Sequence, residues 1–223
     1  MERAELIDRL AQAILAVRRP HPLRVAVDGL DASGKTTLAD ELVKPIEERG
    51  RPVLRASLDG FHCSRSERYR RGIDSPEGYY EDSFDYPSLL DSLLIPLGPG
   101  GDLLYRTAVF DYRSERAVQA APQQARKDAI LLLDGIFLLR PELDRYWDFR
   151  IYVWVSVNES LRRGVLRDSP ALGSPDEVRA RYLARYLPGQ QRYYEMVNPQ
   201  QLADAIVRNE NPHDPGLVLK DLS

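Results

Sequence analysis

The stretch Gly29-Leu30-Asp31-Ala32-Ser33-Gly34-Lys35-Thr36 matches the pattern G-x-x-x-x-G-K-[ST] without a gap. A short apolar run, Leu23 to Asp28, precedes it, and residues 37–48 follow with apolar side chains at helical spacing. In this order, a strand, a glycine-rich loop and a helix form a phosphate-binding loop. Glycine permits the backbone to point successive N–H groups inward, and the helix N-terminus favours an anion. The stretch therefore predicts an α/β fold with a phosphate site after its first strand.

This loop supplies the candidate nucleotide-binding residues. We expect Lys35 to reach the β- and γ-phosphates of a nucleotide, and the hydroxyl of Thr36 to bind Mg²⁺. Asp134 closes the apolar run 130–134, where such enzymes place a second metal-associated carboxylate. The alternative for Asp134 is a residue that caps the next turn. The predicted cofactor-binding residues are Gly29, Asp31, Ala32, Ser33, Gly34, Lys35, Thr36 and Thr37, and the predicted metal-binding residues are Thr36 and Asp134.

Composition narrows the class of protein. The chain has 223 residues, a net charge of −3 and one cysteine. It is long enough for a full hydrophobic core, and one cysteine excludes an intramolecular disulfide framework. The acidic balance provides no positive field for nucleic acid or for an anionic membrane, and no apolar run has transmembrane length. We therefore expect a soluble cytoplasmic protein with a small-molecule partner, with neither nucleic acid nor membrane as a partner.

Strand-like and helix-like segments alternate along the chain. Strands are predicted at 23–28, 53–58, 130–134, 151–157 and 203–207, with a further extended segment at 103–110. Helices are predicted at 2–17, 37–48 and 88–95, at a segment capped by Asn158, and at 174–187, where Pro188-Gly189 breaks the last one. The alternation predicts one doubly wound parallel sheet. We expect a single domain over 1–223, with an acceptor-binding insertion at about 60–115 and a lid at about 158–190.

Three charged side chains complete the predicted catalytic set with Lys35. Asp59 ends the second strand, at the rim where ligands of open α/β sheets collect, although an Asp-Gly pair also forms ordinary turns. Phosphoryl transfer needs a carboxylate that orients and deprotonates the acceptor hydroxyl, and Asp59 is the candidate. Arg163 and Arg167 lie four residues apart on one helical face, so both can point at one phosphate. The alternative for the two arginines is a solvated basic face.

Together these segments resemble the uridine kinase branch of the P-loop kinases, which is related to phosphoribulokinase and pantothenate kinase. The resemblance covers about residues 24–207. Its carriers are the loop with Thr37, Ser57-Leu58-Asp59-Gly60-Phe61-His62, Phe84-Asp85-Tyr86-Pro87, Phe110-Asp111-Tyr112, Leu133-Asp134-Gly135-Ile136, the segment from Arg162 to Asp168, and Ala203-Asp204-Ala205-Ile206. The first motif is shared by many nucleotide-binding proteins, whereas the order and spacing of all of them are much more specific.

The resemblance implies a three-layer α/β/α fold with a five-stranded parallel sheet, ATP or GTP as donor, and Mg²⁺. It also implies phosphorylation of a primary hydroxyl on a small molecule. By resemblance Asp59 is the catalytic base, Asp85 holds ribose hydroxyls, and Arg163 and Arg167 are lid arginines. The expected substrate-binding residues are Phe61, His62, Asp85, Tyr86, Phe110 and Arg113. The resemblance leaves the oligomeric state open, with a homo-oligomer among the alternatives.

Several positions depart from the family pattern. Phe110 stands where a Tyr is usual, Glu115 falls about where a base-contacting His is usual, and Arg181 replaces a Gln. Asp134 replaces a Glu, and Asp31 adds a negative charge to the loop where Ser is common. The first three departures remove contacts expected for a pyrimidine. The acceptor is therefore left open between a nucleoside and another metabolite such as a sugar phosphate, for which the arginine cluster at 65–71 would supply charged partners.

Three other classes of protein fit the sequence less well. A regulatory nucleotide switch lacks support because the chain has no Asn-Lys-x-Asp motif. The arginines and tyrosines of residues 61–87 would suit single-stranded nucleic acid, but the chain as a whole is acidic. Thymidylate-type kinases share a G-x-D-x-x-G-K-T loop, whereas Asp144-Arg145-Tyr146 is predicted to belong to a helix here.

Overall fold

A computed structural model describes residues 1–220 of the chain. The strands are β1 (Leu23–Gly29), β2 (Val53–Ser57), β3 (Leu104–Tyr105), β4 (Phe110–Asp111), β5 (Arg116–Ala117), β6 (Gln123–Gln124), β7 (Ile130–Asp134), β8 (Phe149–Trp154), β9 (Ala205–Arg208) and β10 (Gly216–Leu219). The helices are α1 (Arg3–Ala16), α2 (Lys35–Glu47), α3 (Arg65–Arg68), α4 (Pro76–Asp82), α5 (Tyr86–Leu89), α6 (Pro141–Asp144), α7 (Val157–Leu172), α8 (Pro175–Arg181), α9 (Leu187–Val197) and α10 (Pro199–Leu202). A 3₁₀ turn spans Leu58–Phe61, and π-helices span Leu90–Leu94 and Tyr182–Tyr186.

The main sheet has six strands in the order β10-β9-β8-β1-β7-β2. Five of them are parallel, and β10 pairs antiparallel with β9. The α/β fold with a parallel core is as expected, whereas the sheet has one strand more than the five expected. The strand β10 was missed because it follows a polar, proline-containing segment that has no strand-like pattern of its own.

Helices cover both faces of the sheet. On one face, α1 and α2 bury Leu10 and Leu38 against inward-facing residues of β1, such as Val25. On the other face, Ala26 and Leu133 pack against aromatic side chains of the segments 58–86 and 136–147. The strands β1 and β7 are buried along their whole length, which is typical of central parallel strands covered on both sides. None of the helices of the described chain has the length and the hydropathy to cross a bilayer.

The strand register brings three chain segments to one edge of the sheet. Asp134 at the end of β7 pairs with Val27 of β1 on one side and with Ser57 of β2 on the other. The phosphate loop starts two residues after Val27, and Asp59 follows two residues after Ser57. Residues that are far apart in sequence therefore meet at the carboxyl ends of these strands, where open α/β sheets bind ligands.

Two helix predictions were wrong. Pro188-Gly189 does not break a helix, because Tyr182–Tyr186 is a π-helix that leads directly into α9, and Pro188 lies in the first turn of α9, where the missing N–H is tolerated. The cap of α7 is Ser156, whose hydroxyl accepts a hydrogen bond from the backbone N–H of Glu159 at 3.2 Å, and not Asn158. The extended segment predicted at 103–110 contains only the short strands β3 and β4.

Candidate active site

The phosphate loop between β1 and α2 depends on glycine at two positions. Gly29 has φ +153° and Gly34 has φ +95°, a region of the Ramachandran plot that favours glycine. A Cβ on Gly29 would lie 2.3 Å from the carbonyl oxygen of Val153 in β8, so the loop also needs glycine for close packing. Asn209, just after β9, donates a hydrogen bond from Nδ2 to the carbonyl of Ser33 at 2.7 Å and supports the loop from the outside.

Lys35 and Ser33 present polar groups inside this loop. The Nζ of Lys35 is 2.6 Å from the carbonyl oxygen of Leu30. Burial lowers the pKa of Lys35, and the carboxylate of Asp31 opposes that shift. The hydroxyl of Ser33 is buried and has no hydrogen-bond partner within the part of the chain that the structure describes. A buried ammonium and an unpartnered buried hydroxyl beside a helix N-terminus fit a phosphate group, because both can donate to its oxygens.

Thr36 and Asp134 form the second part of the site. The hydroxyl of Thr36 donates to Oδ2 of Asp134 at 2.6 Å, and Nη2 of Arg55 donates to Oδ1 of Asp134 at 2.9 Å. No group of three or more His, Cys, Asp or Glu side chains suited to a metal occurs within residues 1–220. One hydroxyl and one carboxylate fit Mg²⁺, which usually takes one or two carboxylates together with phosphate oxygens and water.

Asp59 lies at the start of the 3₁₀ turn after β2, with a solvent-exposed side chain. Desolvation by the surrounding protein raises the pKa of its carboxyl, and the carboxylates of Asp134 and Asp31 raise it further, whereas His62 and Lys35 lower it. Desolvation likewise lowers the pKa of His62. A carboxyl with a raised pKa at the carboxyl ends of the strands is a candidate for general base catalysis.

Aromatic side chains surround His62 on the far side of Asp59. The His62 ring centroid lies 4.6 Å from that of Phe84 and 4.5 Å from that of Tyr112. The guanidinium of Arg113 lies 5.7 Å from the centre of the Tyr112 ring. The hairpin of β4 and β5 reaches this place because the N–H of Val109 bonds to the carbonyl of Gly60 at 2.9 Å.

The other expected substrate-binding residues occupy different environments. Both carboxylate oxygens of Asp85 accept hydrogen bonds from Ser88, at 3.0 Å from its N–H and at 2.6 Å from its hydroxyl, so that Asp85 caps α5. Phe61 is fully buried in the core, and Phe110 is half-buried in β4. The hydroxyl of Tyr86 is buried and has no partner within residues 1–220.

The two arginines that were predicted to belong to a lid, Arg163 and Arg167, have different partners. Arg163 donates to Oε1 of Glu159 at 2.6 Å and to the backbone carbonyls of residues 209 and 210 at 3.0 Å. Arg167 donates to Asp168 at 2.7 Å and to the hydroxyl of Tyr182 at 3.3 Å. The hydrogen bond with Asp168 raises the pKa of Arg167. The structure therefore places Arg163 against the segment after β9 and Arg167 against Asp168 and Tyr182.

Several residues beside the site were not predicted. Tyr79 of α4 and Gln190 of α9 both bond to Asp31. Arg140 lies 4.6 Å and 4.4 Å from the ring centres of Tyr80 and Tyr86. The sequence carries no local signal for these contacts, because each of them joins segments that are more than 45 residues apart.

Comparison with known proteins adds to this geometry. No family model matches the chain. Uridine-cytidine kinase B from Dictyostelium discoideum is 30% identical over 148 residues, which are 66% of this chain and 59% of that protein. The chain therefore matches less than two thirds of that relative's length. A uridine kinase from Clostridium botulinum strain Langeland is 25% identical over 199 residues, which cover 80% of this chain and 88% of that protein.

Solved structures show the same fold. The structure of a possible uridine kinase from Bacillus stearothermophilus matches with a TM-score of 0.73 and 24% identity, over 92% of this chain and 99% of that chain. The chain is therefore similar to uridine kinases in sequence and has the fold of these solved structures. A D-glycerate 3-kinase from Cryptococcus neoformans has the same fold, with a TM-score of 0.62 and 16% identity over 96% of this chain and 99% of that chain.

Glu115 makes structural contacts beside the site. Its carboxylate accepts hydrogen bonds from Nη2 of Arg68 at 2.5 Å and from the backbone N–H of Arg65 at 2.8 Å. These contacts hold the short helix α3 against the β4–β5 hairpin. Arg68 lowers the pKa of Glu115 although desolvation alone would raise it, so the side chain is charged at neutral pH.

Proposed function

We propose that the chain transfers a phosphoryl group from ATP or GTP, with Mg²⁺, to a hydroxyl of an unphosphorylated small molecule such as a nucleoside. The observation that carries the proposal is the meeting of Lys35, Asp59 and the Thr36–Asp134 pair at the carboxyl ends of β1, β2 and β7. A donor loop, a candidate metal site and a candidate base at one sheet edge are the parts that phosphoryl transfer requires. The names of the relatives support the reaction class and leave the acceptor open.

The residues would divide the reaction as follows. Lys35, Ser33 and the loop N–H groups hold the phosphates and stabilise the negative charge that spreads over the transferred group. Asp59 orients the acceptor hydroxyl and takes its proton as the new P–O bond forms, while the bond between the γ-phosphorus and the bridging oxygen breaks and ADP or GDP leaves. Thr36 and Asp134 would hold Mg²⁺, which when bound neutralises charge on the phosphates.

We further propose the domain organisation that accompanies this reaction. Residues 1–223 form one kinase domain, of which 221–223 lie outside the described residues, and in it about 60–115 bind the acceptor and about 158–190 form the lid. His62, Asp85, Phe110 and Arg113 would contact the acceptor, and Arg163 and Arg167 would contact the donor. The position of the β4–β5 hairpin beside Gly60 and of α7 beside the segment after β9 supports this division.

The arginine cluster at 65–71 supports an acceptor without a phosphate group. Three of its four arginines are paired: Arg68 with Glu115, and Arg70 and Arg71 with Asp82, at 2.5 Å and 2.9 Å. The fourth, Arg65, lies over the ring of Tyr69. The arginines that are already paired with carboxylates have less attraction left for a phosphate dianion. We therefore place an unphosphorylated acceptor before a sugar phosphate.

Release of ADP from Mg-ATP across a panel of nucleosides, sugar phosphates, glycerate and pantothenate tests the proposal. We expect an unphosphorylated hydroxyl compound to raise ADP release at least tenfold over the rate without acceptor. The variant Lys35→Ala, as the negative control, should lose that increase. Turnover of sugar phosphates alone would replace the acceptor class, and nucleotide binding without any acceptor-dependent product would contradict the kinase assignment.

A further inference from the structure

Asp31 makes contacts that an ordinary loop residue does not make. Its carboxylate oxygen Oδ2 accepts from the hydroxyl of Tyr79 at 2.7 Å and from Nε2 of Gln190 at 3.1 Å. Its backbone N–H donates to Oε1 of Gln190 at 2.8 Å, and its carbonyl accepts from the hydroxyl of Ser160 at 2.7 Å. The side chain, N–H and carbonyl of one loop residue therefore reach α4, α9 and α7.

The partners of Asp31 are held rigidly. Gln190 is 2% exposed and Tyr79 is 9% exposed. Gln190 also donates to the carbonyl of Tyr186, and the ring of Tyr79 packs at 4.8 Å from that of Tyr186. Both side chains therefore lose little further conformational freedom when they bond to Asp31. A change in their position should displace the loop as well.

The charge of Asp31 faces the reacting groups. It raises the pKa of Lys35 against the desolvation that lowers it, and it adds to the desolvation that raises the pKa of Asp59. It also adds to the hydrogen bond with Asp168 that raises the pKa of Arg167. The Asp31 carboxylate therefore acts electrostatically on three residues of the candidate site.

We propose that Asp31 is a positioning residue that links the phosphate loop to the acceptor insertion through Tyr79 and to the lid through Gln190 and Ser160, so that nucleotide binding orders α4. The inference rests on the proposed function, since it needs a nucleotide on the loop. By linkage, the factor by which bound nucleotide tightens acceptor binding equals the factor by which bound acceptor tightens nucleotide binding. The contacts of Asp31 therefore make the two substrates bind cooperatively.

Amide hydrogen exchange tests the coupling between the phosphate loop and α4 without knowledge of the acceptor. The full chain is compared with and without Mg²⁺ and a non-hydrolysable ATP analogue, and exchange is followed in the loop and in residues 76–82. In the unsubstituted protein we expect slowing in both segments, by about fivefold or more in residues 76–82. Tyr79→Phe should keep the slowing in the loop and lose it in residues 76–82, while exchange in its nucleotide-free form stays within about twofold of the unsubstituted protein.

Matched variants distinguish a loss of this coupling from a general loss of folded structure. Tyr80→Phe removes a neighbouring hydroxyl that makes no hydrogen bond within residues 1–220, and it should keep both effects. Asp31→Asn retains an oxygen for Tyr79 and should keep part of the slowing in residues 76–82, whereas Asp31→Ala should lose it. Slowing in the loop alone in the unsubstituted protein, or slowing in residues 76–82 that survives both Tyr79→Phe and Asp31→Ala, overturns the inference. No slowing anywhere overturns the proposed function and this inference with it.

Discussion

The side chain of Asp59 is exposed, and desolvation by the surrounding protein raises the pKa of its carboxyl. Water and an acceptor hydroxyl can therefore reach a carboxylate that is more basic than a free one. The carboxylates of Asp31 and Asp134 contribute to the shift, so the loop and the candidate metal site both act on the candidate base. A bound Mg²⁺ would reduce the effect of Asp134.

For Asp59→Asn we expect turnover to fall by about 100-fold or more, because an amide cannot take the proton of the acceptor. Nucleotide affinity should change by less than about threefold, since the loop contacts remain. In the unsubstituted enzyme, kcat/KM should rise with pH through the raised pKa of Asp59, and the variant should lack that rise. Steady-state kinetics over pH 4.5–8 measures both effects. Asp91→Asn, an exposed carboxyl in the π-helix after α5, is the control, and full turnover in Asp59→Asn would refute the base assignment.

Asp28 is a buried carboxyl directly before the loop. Burial raises its pKa from 3.8 to about 6, although hydrogen bonds from the hydroxyl of Tyr193 and the N–H of Gly29 oppose the shift. Lys35 also favours its charged form. The folded protein therefore holds a proton that the unfolded chain releases between pH 4 and pH 6.

This shift makes stability depend on pH at Asp28. The folded-state pKa is the higher one, so its contribution is fully present below the unfolded pKa and is lost as the pH rises through about 6. Asp28→Asn lacks this titration. Relative to the unsubstituted protein, its free energy of unfolding should therefore increase by about 2 kcal/mol between pH 4.5 and pH 7.5. Urea denaturation at the two pH values measures the difference, and a difference that stays constant would mean that Asp28 keeps its ordinary pKa.

At the scale of elements, the π-helix Tyr182–Tyr186 is bonded to the segment 68–75. Arg185 is 2% exposed and donates hydrogen bonds to the backbone carbonyls of residues 68, 72, 73 and 75 at 2.9–3.2 Å. The rings of Tyr69 and Tyr79 lie 4.8 Å and 5.6 Å from its guanidinium. Burial lowers the pKa of Arg185. One side chain therefore satisfies the carbonyls of a loop that has little regular structure.

Replacing Arg185 should loosen this loop. In Arg185→Met the buried carbonyls lose a charged donor, and we expect the free energy of unfolding to fall by about 2–4 kcal/mol. Trypsin should also cut faster at Arg70 and Arg71, because residues 68–75 open more often. Denaturant unfolding and timed proteolysis measure the two effects. Arg192→Met, an exposed arginine of α9, is the control, and an unchanged cutting rate in Arg185→Met would show that other contacts hold the loop.

At the scale of the whole molecule, a nucleotide would bind to a loop that contacts several distant elements. Asn209 supports the loop from the end of β9, and Arg163 ties α7 to the same segment. Asp31 ties the loop to α4 and α9. A ligand on the loop should therefore affect α4, α9 and the segment after β9 together.

Nucleotide should accordingly stabilise the entire fold. At 100 times its Kd, Mg-ADP adds about 2.7 kcal/mol, which raises Tm by about 5–10 °C in a chain of this size. Lys35→Ala should lose most of this increase because it removes the buried ammonium. Lys44→Ala, an exposed lysine of the same helix with an 82% accessible side chain, should keep it. Thermal denaturation with and without Mg-ADP provides the measurement, and equal shifts in both variants would contradict the role given to Lys35.

Local patterns in the sequence were enough to predict the core of the molecule. The glycines and the lysine of the loop, the apolar runs of the strands and the acids at the strand ends each act over a few neighbouring residues. Parallel strands bring their carboxyl ends to one edge, so Asp59 and Asp134 could be expected near the loop. The same reasoning predicted an α/β fold with a parallel sheet, for which the family resemblance implied five strands, and the structure adds an antiparallel sixth.

Tertiary structure decided the partners of the charged and polar side chains. Asp31 bonds to residues 48 and 159 positions away, and the arginines of residues 65–71 turn to Glu115 and Asp82. The different partners of Arg163 and Arg167 likewise depend on the segment after β9 and on Tyr182. Such contacts have no local period in the chain, because they exist only after the sheet has brought distant segments together. For this reason the sequence alone predicted the candidate reaction centre, and only the tertiary structure decided which partners the surrounding charged side chains have.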